Sequence, residues 1–286
     1  MAAGVLFGIG AALGWGAADF LAARAIKNSD SLKTAFWTQL ISFLMMLLLV
    51  PFFPKFVIFP WKALLLIAVA TVFSVAAFLF FYRGLSVGEI SVIAPVSYTY
   101  PVLPVIIVTL FFGEHLNLVQ LGGIAVTVIG TVLVSFKYSE LHAKKNRALA
   151  KGIEFALLAM VLWGIHVVFL DQIILHYDWY FSLLYVRLFM AVFLFAYSAL
   201  SRNSLKISGN FRIAHIFLLV GFLEFAAFVF FGWGISLDLT SIVAPVAAAA
   251  PAITVGLAKI INKERLEFNQ DTGVLLILIG LVVLAL

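Results

Sequence analysis

The chain has 286 residues, 65% of them hydrophobic and 11% charged, with a mean hydropathy of +1.18. No soluble core of this size hides that much apolar surface, so the composition excludes a water-soluble domain and points to the bilayer. The net charge of +5 does not indicate nucleic acid, because the basic residues sit in short loops between apolar runs, and the lack of cysteine excludes disulfides, thiol chemistry and cysteine-ligated metal.

Ten apolar runs are long enough to cross the hydrocarbon, which predicts an all-α membrane protein of ten transmembrane helices. The first, about 4–26, has no basic n-region and exceeds a usual signal-peptide core, so it reads as a retained helix. Trp15 and Asp19 stand one turn apart on it and share a face. Asp19 is either a functional carboxylate or one neutralised by Arg24, which is also placed to snorkel to the interface. The second run, about 34–51, carries Trp37 and Gln39, and the third spans about 62–82. Ser86 and Glu89 stand at capping-box spacing before the fourth, about 90–112. That fourth run reads SVIAPVSYTYPVLPV over 91–105, with Pro95 and Pro101 set in apolar sequence. The fifth, about 117–136, follows Glu114 and carries Gly123 and Gly130 on one face.

The polar stretch KYSELHAKKNRALAK, residues 137–151, reads as a basic cytoplasmic linker between repeats at 1–136 and 152–286. The sixth run, about 152–174, carries Trp163 and His166, with Glu154 and Asp171 near its ends and read as interfacial. Tyr185 and Arg187 lie on the seventh, about 180–200, and Glu224 on the eighth, about 212–232. The ninth, about 240–261, contains SIVAPVAAAAPAITV with Pro245 and Pro251. The tenth, about 269–286, follows Glu264 and carries Gly273 and Gly280. Glu114 and Glu264, each before a helix, suit the positive end of its macrodipole.

The two halves are copies. AAFLFFYRGLS at 76–86 matches AAFVFFGWGIS at 226–236, an offset of 150 that holds without a gap from Gly84 to Phe136. Nearer the start the offset is 148, pairing Trp15 with Trp163, Trp37 with Tyr185 and Gln39 with Arg187. Five is odd, so a directly repeated five-helix unit enters the membrane from opposite sides and the repeats are inverted, an arrangement that recurs in secondary transporters. Arg24, Lys27, Lys33, Arg83, Lys137, Lys144, Lys145, Arg147, Lys151, Arg202, Lys206, Arg212, Lys259, Lys263 and Arg265 all flank the odd-numbered loops, against Lys55 and Lys62 at the even ones. That asymmetry puts the odd loops in the cytoplasm and both termini outside.

Polar groups inside spans cost about 2.5–3.5 kcal/mol on insertion scales and face the protein interior or a wet cavity. His166, Arg187 and Glu224 lie on consecutive helices at one depth, with Arg187 and Glu224 suited to an ion pair and His166 to proton exchange. A substrate or proton role and a structural network both stand for them. Trp163 is too deep for an interfacial belt and either packs the core or lines a pocket. Pro95, Pro101, Pro245 and Pro251 each remove a backbone donor, which predicts bends shared by the fourth and ninth helices. Between the prolines, Ser97, Tyr98, Thr99 and Tyr100 offer hydroxyls and rings, where Ala247 to Ala250 offer space or close packing. The glycine faces of the fifth and tenth helices favour a joint between the repeats over a dimer of chains.

The block RGLSVGEISVIAPVSYTYPVLPV…FFGEHLNLVQLGGIAVTVIG resembles the fourth and fifth helices of the EamA-type drug/metabolite transporters, and GWGAADFLAARAIKNSDSLKTAFWTQL is similar to the first hairpin of a subgroup of that family. The glycine spacing also resembles the dimerising last helix of the small multidrug resistance proteins. The family resemblance covers both repeats. It implies a ten-helix carrier with a central pocket formed mainly by helices 1–4 and 6–9, and helices 5 and 10 outside. Many members are expected to hold both termini in the cytoplasm; the basic residues here argue the reverse.

No P-loop, HExxH or GxSxG motif is present, and the five histidines are scattered, so neither a cofactor nor a metal is expected, and an intramembrane enzyme or a channel is the minor alternative. The expectation is a secondary transporter in a prokaryotic plasma membrane, working as a monomer with a homodimer as the alternative, and with protons as a candidate coupling ion. It exports amino acids or related compounds; a sugar, a nucleotide-type metabolite or an organic cation is the second choice. Its candidate binding or coupling residues are Trp15, Asp19, Gln39, Tyr98, Tyr100, Trp163, His166, Arg187 and Glu224.

Overall fold

The structure is a computed structural model that describes residues 2–52, 56–88, 90–111, 113, 116–134, 138–139, 152–207, 211–261, 263 and 267–285. Glu89, Glu114, Glu264 and nearly all of the 137–151 linker lie outside the described residues. Twelve α-helices are described: α1 (Ala2–Asn28), α2 (Ser31–Leu49), α3 (Trp61–Val87), α4 (Ile90–Ser97), α5 (Val102–Phe111), α6 (Leu118–Val134), α7 (Ile153–His176), α8 (Trp179–Leu200), α9 (Phe211–Leu237), α10 (Thr240–Ala247), α11 (Ala250–Ile261) and α12 (Phe268–Ala285). No strand occurs among the described residues. With α4–α5 and α10–α11 each counted as one interrupted span, these make eight helices of membrane-crossing length and two shorter apolar ones, α6 and α12.

Local chemistry places the helix starts in matching positions of the two halves. Asp30 caps α2, its Oδ1 accepting from the Lys33 amide at 3.0 Å, and Asp178 caps α8, its Oδ1 accepting from the Phe181 amide at 2.9 Å. These aspartates are 148 positions apart, so the cap is copied with the repeat. The third and eighth runs extend beyond expectation, α3 to Val87 and α9 to Leu237, because a helix of 27 residues outreaches a hydrocarbon core of about 30 Å and carries its last turns into the interface. Ser86 therefore belongs to α3, where its hydroxyl donates to the Arg83 carbonyl at 2.7 Å, and it does not cap the next helix.

Packing follows the inverted symmetry. α1 runs antiparallel along α9, and α3 along α7, each pair joining the first helix of one half to the third of the other. α2 and α8 meet between them. α6 and α12 pair with each other, as the glycine faces predict: a Cβ on Gly130 would stand 2.8 Å from the Gly273 carbonyl, and one on Gly273 would stand 2.6 Å from the Gly130 carbonyl. The absence of side chains lets the two backbones touch, which is how helices associate closely in lipid. Gln270 Nε2 adds a 3.2 Å bond to the Val134 carbonyl at the end of that seam. Large apolar residues such as Leu48, Ile58, Leu110, Leu118 and Phe268 cover the exterior, while Thr38, Gln39, Arg187 and Glu224 are buried. Polar inside and apolar outside is the arrangement a bilayer solvent requires.

The proline-bearing spans break as expected, though not at the first proline. Pro95 and Pro245 lie within α4 and α10, and the helices stop at Ser97 and Ala247. Pro101 has no N–H to offer the Ser97 carbonyl, which is taken instead by the Tyr100 amide at 3.3 Å in a tight turn. In the second half the Ala249 amide bonds the Val246 carbonyl at 3.1 Å, and Pro251 opens the first turn of α11, where a missing donor costs nothing.

Candidate functional site

The repeats form a partly open cavity near the middle of the bundle, with about 510 Å³ of non-atom space when the solvent open to it is counted. Its frame is aromatic and symmetric. Trp15 and Trp163 are repeat counterparts and both line it, as do the counterparts Phe78 and Phe228, with Phe231 beside them. Trp15 meets Phe231 at 5.1 Å between centroids. Trp163 is 5.1 to 6.3 Å from the rings of Phe78, Phe81, Tyr98 and Tyr100, so it packs the core and lines the pocket at once.

The polar groups are not symmetric. Asp19 on α1 stands opposite Val167 on α7, its repeat counterpart, and Glu224 on α9 stands opposite Ser74 on α3. The third polar pair meets directly. Arg187 Nη1 donates to Gln39 Oε1, and these residues are 148 positions apart. A residue bonded to its own repeat counterpart lies on the axis relating the repeats, so Arg187 and Gln39 mark that axis. Gln39 itself stands behind Arg187 and does not line the cavity.

Both terminal nitrogens of Arg187 are engaged, while its buried Nε has no hydrogen-bond partner among the described residues. Its Nη2 donates to Glu224 Oε2 at 3.3 Å and to the Glu224 carbonyl at 3.4 Å, and its Nη1 also approaches Met190 Sδ at 3.7 Å. The Phe228 ring centroid lies 3.8 Å from the guanidinium carbon, a cation–π contact that covers the group's face. Both members of the ion pair are 1% exposed, so each is the main compensation for the other's charge.

His166 and Asp19 are differently placed. His166 Nδ1 is 3.0 Å from the Ala70 carbonyl, and since a carbonyl only accepts, that nitrogen bears a proton. Its Nε2 is buried without a hydrogen-bond partner among the described residues. Asp19 Oδ2 accepts from the Tyr98 hydroxyl at 2.7 Å, and no cation pairs with this carboxylate among the described residues. Arg24 does not neutralise it; its guanidinium sits over the Phe20 ring, 4.5 Å from the centroid.

The helix break explains why Tyr98 and Tyr100 reach the cavity. Ser97 Oγ donates to the Ala156 carbonyl at 3.4 Å, and Thr99 Oγ1 lies 2.9 Å from Met160 Sδ, which fastens the alternate residues of the turn onto α7. Tyr98 and Tyr100 then face the cavity. In the other half Ala247 to Ala250 are buried against α1, where Thr254 Oγ1 donates to the Gly16 carbonyl at 3.0 Å. The alanines serve close packing and not open space.

A further expectation needs correction. Asp171, read as interfacial, is 2% exposed, its Oδ1 accepting from Thr240 at 2.5 Å and its Oδ2 from Gln172 at 2.9 Å; it ties α7 to α10. Glu154 does remain exposed. Of the candidate residues, Trp15, Asp19, Tyr98, Tyr100, Trp163, His166, Arg187 and Glu224 converge on the cavity. The sequence reading missed Ser74, Phe78, Val167, Phe228 and Phe231. Projecting each named residue through the repeat finds Ser74 from Glu224 and Val167 from Asp19.

Trp37 and Tyr185 take up a further pair of positions. Trp37 Nε1 donates to the Leu205 carbonyl at 2.9 Å, and the Tyr185 hydroxyl donates to the Val57 carbonyl at 3.4 Å. Both donors and both acceptors are 148 positions apart. Each bond ties a helix of one half to a loop of the other, one at the face of the basic loops and one at the opposite face.

The sequence family described as the EamA-like transporter family matches residues 2–136 and 150–286. A protein of Archaeoglobus fulgidus described as an uncharacterized transporter is 25% identical over 287 residues, covering 99% of this chain and 98% of that protein. A crystal structure superposes with a TM-score of 0.79 at 17% identity, covering 99% of this chain and 98% of the other, which bears on the fold alone.

Proposed function

The chain belongs to the EamA-like transporter family, and on that premise we propose that it is a secondary transporter carrying a small organic metabolite by alternating access. The observation that carries this reading is a mid-bundle cavity on the repeat axis, set between two equivalent latches at opposite faces, Trp37 on Leu205 and Tyr185 on Val57. Inverted repeats supply two related states by exchanging the roles of their halves. Opening one latch while the other holds exposes the cavity to one side at a time. The broken spans α4–α5 and α10–α11, bent at Pro101 and Pro251 after Pro95 and Pro245, give each half a hinge beside the cavity.

Export of an amino acid or a related compound is the leading substrate assignment, supported by a carboxylate, a guanidinium, an imidazole and aromatic rings in one cavity. Trp15, Asp19, Tyr98, Tyr100, Trp163, His166, Arg187 and Glu224 are its proposed contacts, with Gln39 positioning Arg187 and with Asp19 and His166 as candidates for proton coupling. We place the protein in the plasma membrane with the basic loops in the cytoplasm and both termini outside, on the asymmetry of fifteen basic residues against two. Counterflow in proteoliposomes tests the reading: saturable exchange of a labelled amino acid supports it. A steady ionic current, or chemical conversion of the solute, sinks it.

A further inference from the structure

Charge on the cavity wall does not balance. Arg187 gives its two terminal nitrogens to Gln39 and Glu224 and lies against Phe228, so its charge is already matched by Glu224. Besides the Arg187 Nε–H, what the wall has left over are acceptors. The Asp19 carboxylate is 2% exposed, is held by one tyrosine hydroxyl and meets no cation among the described residues. His166, with its Nδ1 proton directed at the Ala70 carbonyl, presents in its neutral form a lone pair at the unpartnered Nε2. A buried carboxylate without a positive partner is costly. Around these acceptors stand Trp15, Trp163, Tyr98 and Tyr100, whose ring faces attract cations.

We infer that this cavity recognises the protonated amino group of its substrate, with Asp19 as the counter-charge and His166 Nε2 as a second acceptor, and that a substrate carboxylate is not the recognised group. The inference rests on the transport reading for its context but concerns the chemistry of binding alone. An α-amino acid and the amine left by its decarboxylation satisfy Asp19 equally. A carboxylate lacking the amine places a second negative charge beside it.

The test titrates the purified full chain with phenethylamine, tryptamine, phenylalanine and phenylpropionate, following tryptophan fluorescence, since Trp15 and Trp163 line the cavity. The amines and phenylalanine bind, and phenylpropionate binds at least about tenfold more weakly. Asp19→Asn keeps an acceptor for Tyr98 but removes the charge, and lowers amine affinity by about tenfold or more; Asp19→Glu retains the preference for amines. Phenylpropionate binding as tightly as phenethylamine overturns the inference, as does an Asp19→Asn protein that folds and binds amines unchanged. Should Asp19→Asn fail to fold, loss of the amine preference in Asp19→Glu counts against it, as does failure of every amine to bind the wild-type chain. Carboxylate-selective counterflow would remove the inference and leave transport standing. Amine binding without movement of any solute would do the reverse.

Discussion

The ion pair at the repeat axis shows how one interaction can be necessary without being a source of stability. Arg187 and Glu224 are both 1% exposed, and removing one leaves the other's charge buried. Such single losses cost about 3–5 kcal/mol, whereas apolar replacement of a whole buried pair is often neutral. Arg187→Ala and Glu224→Gln are therefore expected to lower thermal stability in detergent and to impair transport. The double variant Arg187→Met/Glu224→Leu is expected to regain most of the stability without regaining transport. Wild-type transport by that double variant would remove the pair from the pocket. The sequence named these residues because an ionisable group inside an apolar run stands out. It did not show that Gln39 would be the arginine's partner, because hydrogen bonds between helices depend on packing that no local pattern encodes. The fate of Asp171 was hidden for the same reason: its position near a helix end was visible, and Thr240, 69 residues away, was not.

At the scale of the element, the repeats make each half a control for the other. Gly113 follows α5 with φ +77°, and Lys263, 150 positions on, follows α11 with φ +56°. Both helices end on a left-handed residue, where a side chain costs about 1–2 kcal/mol and glycine costs nothing. Lys263→Gly is accordingly expected to raise stability by about 1 kcal/mol, read as a higher melting temperature in detergent; an unchanged or lower value contradicts the assignment. The latches admit a functional test of the same kind. Trp37→Phe removes the bond to Leu205 at the basic-loop face, and Tyr185→Phe removes the bond to Val57 at the other. Because the chain has no cysteine, Ser74→Cys on the cavity wall is a unique probe for impermeant thiol reagents. Trp37→Phe is expected to raise labelling from the basic-loop face and Tyr185→Phe from the opposite face. Equal effects from both sides would mean that the bonds are not gates. Both breaks in the spans were legible from proline alone, but their position at Ser97 and Ala247 was not, since it depends on which carbonyl the second proline leaves to a tighter turn.

For the whole molecule, most of the architecture was readable because it is written twice. Ten apolar runs, an odd repeat unit and a copied set of glycines lead to inverted halves without any knowledge of packing. Which aromatic residues face inward was not readable, because an apolar run in a membrane protein is apolar on every side and loses the periodicity that marks a buried face. The division of labour between symmetry and asymmetry has a consequence for the functional unit. The cavity takes walls from both halves, and its aromatic frame is complete within one chain. The glycine faces of α6 and α12, the surfaces best suited to close helix contact, are spent on each other. Among the described residues, a second copy of the chain is left no missing cavity wall to fill, and the paired glycine faces of α6 and α12 are already occupied. The purified protein is therefore expected to run as a monomer, with a polypeptide mass of 31.3 kDa by light scattering corrected for detergent. Gly130→Val and Gly273→Val should weaken the α6–α12 seam and lower the melting temperature without changing that mass. A stable dimer that dissociates in either variant would place the seam between chains and reverse the argument.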